Sequence, residues 1–281
     1  MNSEEIKIEL SKINARAKKS FSQNFLVDDS ALKKIIESAE INTGESILEI
    51  GPGLGVLTGR LLVAGGEVVA IEADRDFLGY LKKKFQNDNL KLILGDAISV
   101  VDSLKFKEEF LSSDFKVVAN IPYSITSKLL RLLLEAPKKP KLIVLLIQQE
   151  VAERIVAPAG KMSLLSLSVQ YFGWPRIIEK VSKNSFWPVP KVNSAIIKIT
   201  EIKSRFDSET EKEFFRLARV GFASRRKTLA NNLSAGFQIA RPKIIAIIKK
   251  SGFLENIRAQ ELGIEDWLIF FENIRRAGVV K

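Results

Sequence analysis

Two residue types are missing altogether from this chain of 281 residues: it has no cysteine and no histidine. Without cysteine there are no disulfides and no thiolate–metal sites. Without histidine, the commonest general base and the commonest zinc ligand are gone as well, so any chemistry must run without them and no metal is expected. Long apolar runs are lacking too. Leu142–Ile147 is far shorter than the roughly 20 residues that cross a bilayer, and the opening MNSEEIKIELSK has no signal-peptide core. A cytoplasmic protein with no membrane partner is the expectation. Neither repeats nor low-complexity tracts are present. What is in excess is positive charge: 44 Lys+Arg against 33 Asp+Glu give a formal +11 and a pI near 9.7, which points to a polyanionic partner.

The length allows one large domain and a small one. From Ile47 onward, short apolar strands alternate with helical patterns. Strands are predicted at 47–50, 68–71, 91–94, 116–119 and 141–148, and helices at 31–39, 56–64, 75–85, 125–134 and 150–155. Asp28-Asp29-Ser30 supplies N-cap candidates for the first of these helices. This rhythm predicts a parallel sheet covered on both faces. After Pro188-Val189-Pro190, Ser194–Thr200 alternates apolar and polar residues and predicts a late antiparallel strand. The polar stretch 201–211 reads as a linker, and everything beyond it has helical periodicity. The division is therefore 1–202 and 203–281. The second part holds 16 Lys+Arg and 9 Asp+Glu, a net +7, against 28 and 24 in the first, a net +4, so the small helical part is the more basic.

Ligands of an open parallel sheet bind at the carboxyl ends of its strands. The first such end is ILEIGPGLGVL (47–57), a strand that turns through glycines into a helix and brings bare backbone N–H groups close to a ligand. Glu49 sits at this end, where a pyrophosphate would gain nothing from a carboxylate. The next strand ends in Glu72, 21 positions after Gly51, a spacing that suits an acid accepting from ribose hydroxyls. Two acids at adjacent strand ends favour a cationic, ribose-bearing ligand such as S-adenosylmethionine. Asp96, after KLIL, is placed to accept from an adenine amine, and can also be a helix N-cap. Asn120-Ile121-Pro122-Tyr123 closes the fourth strand. Its tyrosine offers a flat face for a base, and the Asn120 amide oxygen and Ile121 carbonyl can both accept from an exocyclic amine. Two acceptors there would activate an amine with no basic side chain.

KKSFSQNFLVD, ILEIGPGLGVLT, VVAIEAD, LGDA, VVANIPYSITSKLL, QQEVAERIVA, FWPVPKVNSAII, GFASRRKTLANN and RAQELGIEDW occur in that order. Together they make the chain resemble the small-subunit (16S) ribosomal RNA adenine dimethyltransferases over nearly its whole length. The resemblance implies a Rossmann-like class I S-adenosylmethionine-dependent methyltransferase domain with a smaller all-α C-terminal domain. Cofactor contacts carry over onto Asn24, Leu26, Gly51, Glu72, Asp96 and Asn120. The target adenine is expected at Asn120, Ile121, Pro122 and Tyr123, facing the Phe186 segment. Arg219, Arg225, Arg226 and Lys227 are the expected RNA contacts, the last three beginning a helix. The partner implied is 16S rRNA within an assembly intermediate of the small subunit, met by a monomer. Ser22 replaces the usual glycine before Asn24, and Asn193 stands where aspartate is common. Three alternatives stay open: a large-subunit rRNA methyltransferase of the macrolide-resistance type, a non-catalytic RNA-binding or transcription-factor relative, and, more distantly, a dehydrogenase. Trp174 and Trp187 read as core or rim aromatics, and Trp267 as core.

Overall fold

The structure, a computed structural model, describes residues 2–13, 24–103, 106 and 114–280. The sequence expectations for the KKSFSQ segment, Ser22 included, lie outside the described residues. The chain divides into two compact units. One comprises Met1–Ala152 and Trp174–Ile202, the other Glu153–Gly173 and Lys203–Lys281. A division at 202/203 places 153–173 in the first part; the structure groups that segment with the helical unit.

The sheet unit is built on apolar parallel strands, buried on both faces at the centre of the sheet and half-exposed at one edge. They are β2 (Ser46–Ile50), β3 (Glu67–Glu72), β4 (Leu90–Leu94), β5 (Phe115–Asn120) and β6 (Leu142–Gln148), all mutually parallel. Beyond β6 lie β9 (Ser194–Thr200) and then β7 (Trp174–Val181), giving the order β4-β3-β2-β5-β6-β9-β7. β9 is antiparallel to both neighbours, as the alternation of SAIIKIT predicts. β7 is not predicted by the sequence pattern. It starts Trp-Pro, its exposure is irregular, and a bulge lies between Ile177 and Glu179, so it shows no clean strand period. A separate two-stranded ladder joins β1 (Phe25–Leu26) to β8 (Phe186–Trp187), pairing Phe25 with Trp187 and Leu26 with Phe186.

Helices α2 (Asp29–Ala39), α3 (Val56–Val63), α4 (Arg75–Lys84), α5 (Ala97–Asp102) and α6 (Thr126–Glu135) follow their strands closely. Asp28, Asp74 and Asp96 cap α2, α4 and α5 by accepting backbone N–H bonds. The first helix, α1 (Ser3–Lys12), is hidden in a charged stretch. Asn2 and Glu5 close a capping box at its start, and its two buried residues, Ile6 and Leu10, join Phe25, Leu54 and Phe77 in one cluster. The Tyr80 hydroxyl donates to Glu9 Oε2 at 2.8 Å, and Lys84 Nζ donates to the Leu54 carbonyl at 2.8 Å. The N-terminal helix is thereby fastened to the glycine-rich turn.

The second unit is helical: α8 (Leu164–Phe172), α9 (Ser208–Gly221), α10 (Leu229–Phe237), α11 (Arg241–Lys250) and α12 (Ile264–Arg276) follow a short α7 (Gln149–Ile155) that straddles the division. Its core is aromatic. Tyr171 stacks on Phe214 at 4.7 Å, Phe271 meets Phe214 edge-on at 5.4 Å, and Trp267 is fully buried with its Nε1 donating to the Ala259 carbonyl. Among the described residues, no helix is long and apolar enough to cross a membrane.

Candidate functional site

The sheet order reverses direction between β2 and β5, and a crevice at the carboxyl ends of strands opens there in folds of this kind. A cavity of about 350 Å³ occupies this position. Asn24, Leu26, Gly51, Glu72, Asp96, Asn120, Ile121, Pro122 and Tyr123 all line it.

One wall is the turn after β2. Gly51, Gly53 and Gly55 all have φ between +55° and +71°, a region that β-carbons disfavour. At Gly55 the space is closed as well, since a Cβ would stand 2.5 Å from the Phe85 ring. The turn presents its backbone to Glu72, whose Oε2 accepts from Gly53 N–H at 3.1 Å and whose Oε1 accepts from Asp74 N–H at 2.9 Å. Glu72 is buried at the end of β3. Burial holds its carboxyl above the ordinary range, while the N–H bonds from Asp74 and Gly53 pull the other way and the charge of Asp74 adds to the rise. Asp96 is exposed, with Oδ1 taken by Ser99 N–H and hydroxyl, so it is an N-cap and a cavity wall at once.

Glu49 differs from its sequence reading. It lines the cavity but is 1% exposed, and Thr58 Oγ1 donates to its Oε2 at 2.7 Å. Burial pushes its carboxyl up to about 8, the Thr58 bond opposing and the nearby Glu72 charge reinforcing the shift. At neutral pH it is mainly a neutral acid. Both strand-end acids line the cavity, Glu72 bonded by the N–H groups of Gly53 and Asp74 and Glu49 by Thr58.

At the far side of the cavity, Asn120 Nδ2 donates to the Asn24 carbonyl at 3.4 Å, which turns Oδ1 the other way as an acceptor. Among the described residues no backbone donor reaches the Ile121 carbonyl. Pro122 leads into a 3₁₀ turn, Tyr123–Ile125, and the half-buried Tyr123 closes the rim with its hydroxyl 2.7 Å from Ser194 Oγ.

Phe186 needs correction as a cavity residue. It is 2% exposed, belongs to the core cluster beneath the sheet with Leu26 and Val181, and does not line the cavity. It pairs with Leu26, which reaches both that core and the cavity wall, while Phe186 itself stays in the core. Its neighbour Trp187 is half-buried against the α1 cluster, and Trp174 is a rim aromatic, 68% exposed. Asn193 supports the rim through acceptor oxygens. Its Oδ1 accepts from Lys183 N–H at 3.0 Å and its carbonyl from Gln149 N–H at 3.0 Å. An aspartate would offer the same acceptors. Sequence reasoning does not single out Phe25, Leu54 or Ser194, although each lies within one of the matching segments.

In the helical unit Arg225, Arg226 and Lys227 do not begin a helix; they form an exposed turn between α9 and α10, closed by Lys227 N–H on the Ser224 carbonyl at 3.2 Å. Thr228 is the N-cap of α10, so the helix starts only at Leu229. Arg219 is exposed on the last turn of α9, and none of the four has an acidic partner among the described residues.

The family model described as ribosomal RNA adenine dimethylase matches residues 14–276. This chain belongs to the ribosomal RNA adenine dimethylase family. It is 40% identical over 256 residues to the ribosomal RNA small subunit methyltransferase A of Dehalococcoides mccartyi, covering 90% of this chain and 86% of that protein. Its similarity to the enzyme of the same description from Mycoplasmopsis pulmonis is also 40%, over 92% of this chain and 100% of that one. Among solved structures, a dimethyladenosine transferase from Plasmodium falciparum superposes with TM-score 0.77 at 28% identity, over 91% of this chain and 99% of that chain. The 23S rRNA methyltransferase ErmE gives 0.69 at 26%, over 90% and 100%. The adenine dimethylase fold is thus a Rossmann-like α/β sheet with a helical C-terminal region, and no group of three or more His, Cys, Asp or Glu side chains that could hold a metal occurs among its described residues.

Proposed function

We propose that this chain is an S-adenosylmethionine-dependent rRNA adenine dimethyltransferase. Its substrate is two neighbouring adenines in a hairpin loop near the 3′ end of 16S rRNA, each taking two methyl groups on the exocyclic amine. It acts in the cytoplasm, as a monomer, on an assembly intermediate of the small subunit, and so contributes to subunit maturation. One observation carries the reading: Asn120-Ile121-Pro122-Tyr123 forms the rim of the same cavity whose opposite wall holds Glu72 and Asp96.

The residues present fit the cofactor. Glu72 is preset by two backbone N–H groups to receive ribose hydroxyls, Asp96 keeps Oδ2 for the adenine amine, and Asn24, Leu26 and Gly51 complete the walls. When bound, S-adenosylmethionine supplies an electrophilic methyl group. The chain's own task is to make the adenine amine nucleophilic. That nitrogen's lone pair is conjugated with the ring, and Asn120 Oδ1 and the Ile121 carbonyl, by accepting its two hydrogens, favour the tetrahedral form and stabilise the developing positive charge. Tyr123 holds the base by its face after the base has left its stack, which costs less in a loop than in a duplex. The methylated amine then gives up one proton to solvent. Site choice on a ribosomal particle falls to Arg219, Arg225, Arg226 and Lys227, which grip phosphates.

The intact Asn120–Tyr123 segment weighs against a role limited to binding, and the 40% identity to small-subunit enzymes outweighs the 26% to the large-subunit one. Tyr123→Ala is the test. Cofactor affinity should stay near wild type while methyl transfer falls by about tenfold or more, the rate equivalent of losing roughly 1–3 kcal/mol of stacking. Transfer at the wild-type rate would remove Tyr123 from the base pocket. Reverse-transcription mapping of rRNA from a strain lacking the protein should lose stops at the two target adenines.

A further inference from the structure

We infer that Ser194 is a positioning residue for methyl transfer: its hydroxyl, hydrogen-bonded to that of Tyr123, holds the ring in the plane on which the target adenine stacks. This rests on the proposed adenine methylation at the same cavity. Tyr123 lies in a short 3₁₀ turn on the rim, and a turn of three residues is a weak mount for a stacking surface. Its backbone is steadied by Pro122 and by Thr126 Oγ1, which donates to the Tyr123 carbonyl at 3.3 Å. Among the described residues, one group hydrogen-bonds the far end of the side chain, Ser194 Oγ at 2.7 Å, contributed from 71 residues away.

Ser194 is a good anchor because it cannot move independently of the sheet. It is the first residue of β9, fully buried, and paired on one side with Gln148 of β6 and on the other with Val181 of β7. The preceding residue is fixed as well, through the Asn193 bonds to Lys183 and Gln149 N–H. A phenol hydroxyl tied to such a point confines the ring about its last free torsion. The ordering cost of the stacking face is then met on folding rather than when the base arrives. Burial raises the Tyr123 hydroxyl above its ordinary range, so both partners are neutral and the bond is unchanged across the working pH range. A serine at this place does nothing for cofactor binding, since it is absent from the cavity wall.

Tyr123→Phe and Ser194→Ala remove the same hydrogen bond from its two ends. Each should slow methyl transfer about three- to tenfold at saturating substrate, the rate equivalent of one hydrogen bond, with the KM for S-adenosylmethionine unchanged. The double variant should be no slower than either single one, because only one interaction is removed. With 2-aminopurine at the target position of a small-subunit particle, both variants should show weaker stacking quench than wild type. Independent, multiplicative losses, or wild-type rates and quench in Tyr123→Phe, would overturn the assignment of Ser194. Should Tyr123→Ala also transfer at the wild-type rate, the base pocket itself is wrong; should it be slow while Tyr123→Phe is normal, only the positioning role of Ser194 falls. If Ser194→Ala lowers thermal stability while Tyr123→Phe leaves rate and quench intact, the serine is structural and the proposal fails.

Discussion

In the sheet unit the telling ionisable groups are inside: Glu49 and Glu72 are 1% and 6% exposed, hydrogen-bonded and held above their ordinary pKa. In the helical unit they are outside: Arg219, Arg225, Arg226 and Lys227 are all exposed and unopposed by carboxylates among the described residues. Buried acids act over a few ångströms, on one ligand held in one pose, and feel little of the surrounding salt. Exposed cations act on a phosphate backbone whose counterions they displace, so their effect scales with ionic strength. On the proposed reading one unit discriminates atoms and the other finds a large polyanion, so the two properties should come apart under mutation.

Exchanging Arg225, Arg226 and Lys227 for Glu should separate them most sharply. Association with a partly assembled small subunit should weaken by roughly a hundredfold or more at low salt, with S-adenosylmethionine affinity untouched. Neutral Gln at the same positions should flatten the plot of log affinity against log salt, by about one unit of slope for each phosphate no longer neutralised. Binding isotherms over a salt series report both; an unchanged slope would mean the cluster is only solvated surface.

The converse separation comes next in size. Glu72→Ala or Asp96→Ala should cost about 1–3 kcal/mol of cofactor binding, the scale for hydrogen bonds to a charged group. Association with the subunit should stay as in the wild type. Calorimetry showing normal affinity in both variants would take these acids out of the site.

A third effect concerns stability alone. Glu49 titrates near 8 in the folded chain and near the ordinary 4.5 when unfolded, so the folded state holds the extra proton between those values. Its contribution is fully present below about pH 4.5 and is lost as pH rises through about 8, with a slope of at most about 1.4 kcal/mol per pH unit. Glu49→Gln keeps an acceptor for Thr58 and cannot ionise, so melting temperature should fall less between pH 5 and 8 than in the wild type. Parallel melting curves for the two proteins across that range would show that Glu49 is already charged.

The parts readable from sequence are those carried by local pattern. Five parallel strands announce themselves as apolar runs, and four of them, β2, β3, β4 and β5, end at or beside residues that line the cavity, because the carboxyl edge of such a sheet is also where its ligands bind. Other features depend on distant partners. β7 reads poorly because an edge strand with proline and a bulge has no fixed period, and α1 because only two of its residues, Ile6 and Leu10, are buried. Phe186 is misplaced by its motif because a motif says which segment is near a site, not which face of the strand points there. Glu49 is misread for a related reason: strand position brings an acid to the cavity, while burial decides whether it is ionised.

The reversed direction of β9 has a consequence for how the chain comes into being. Because β9 runs against β6, its first residue rather than its last lies at the ligand edge, and β8, just before it, pairs with β1 on the cavity wall. A nascent chain that has emerged only through α8 holds the glycine turn, Glu72, Asp96 and the Asn120–Tyr123 rim. It lacks the strand that seats β1 and the serine that steadies Tyr123. On the proposed reading the site is completed only once residues 186–194 have been made, and a polypeptide cut short before them lacks a finished site.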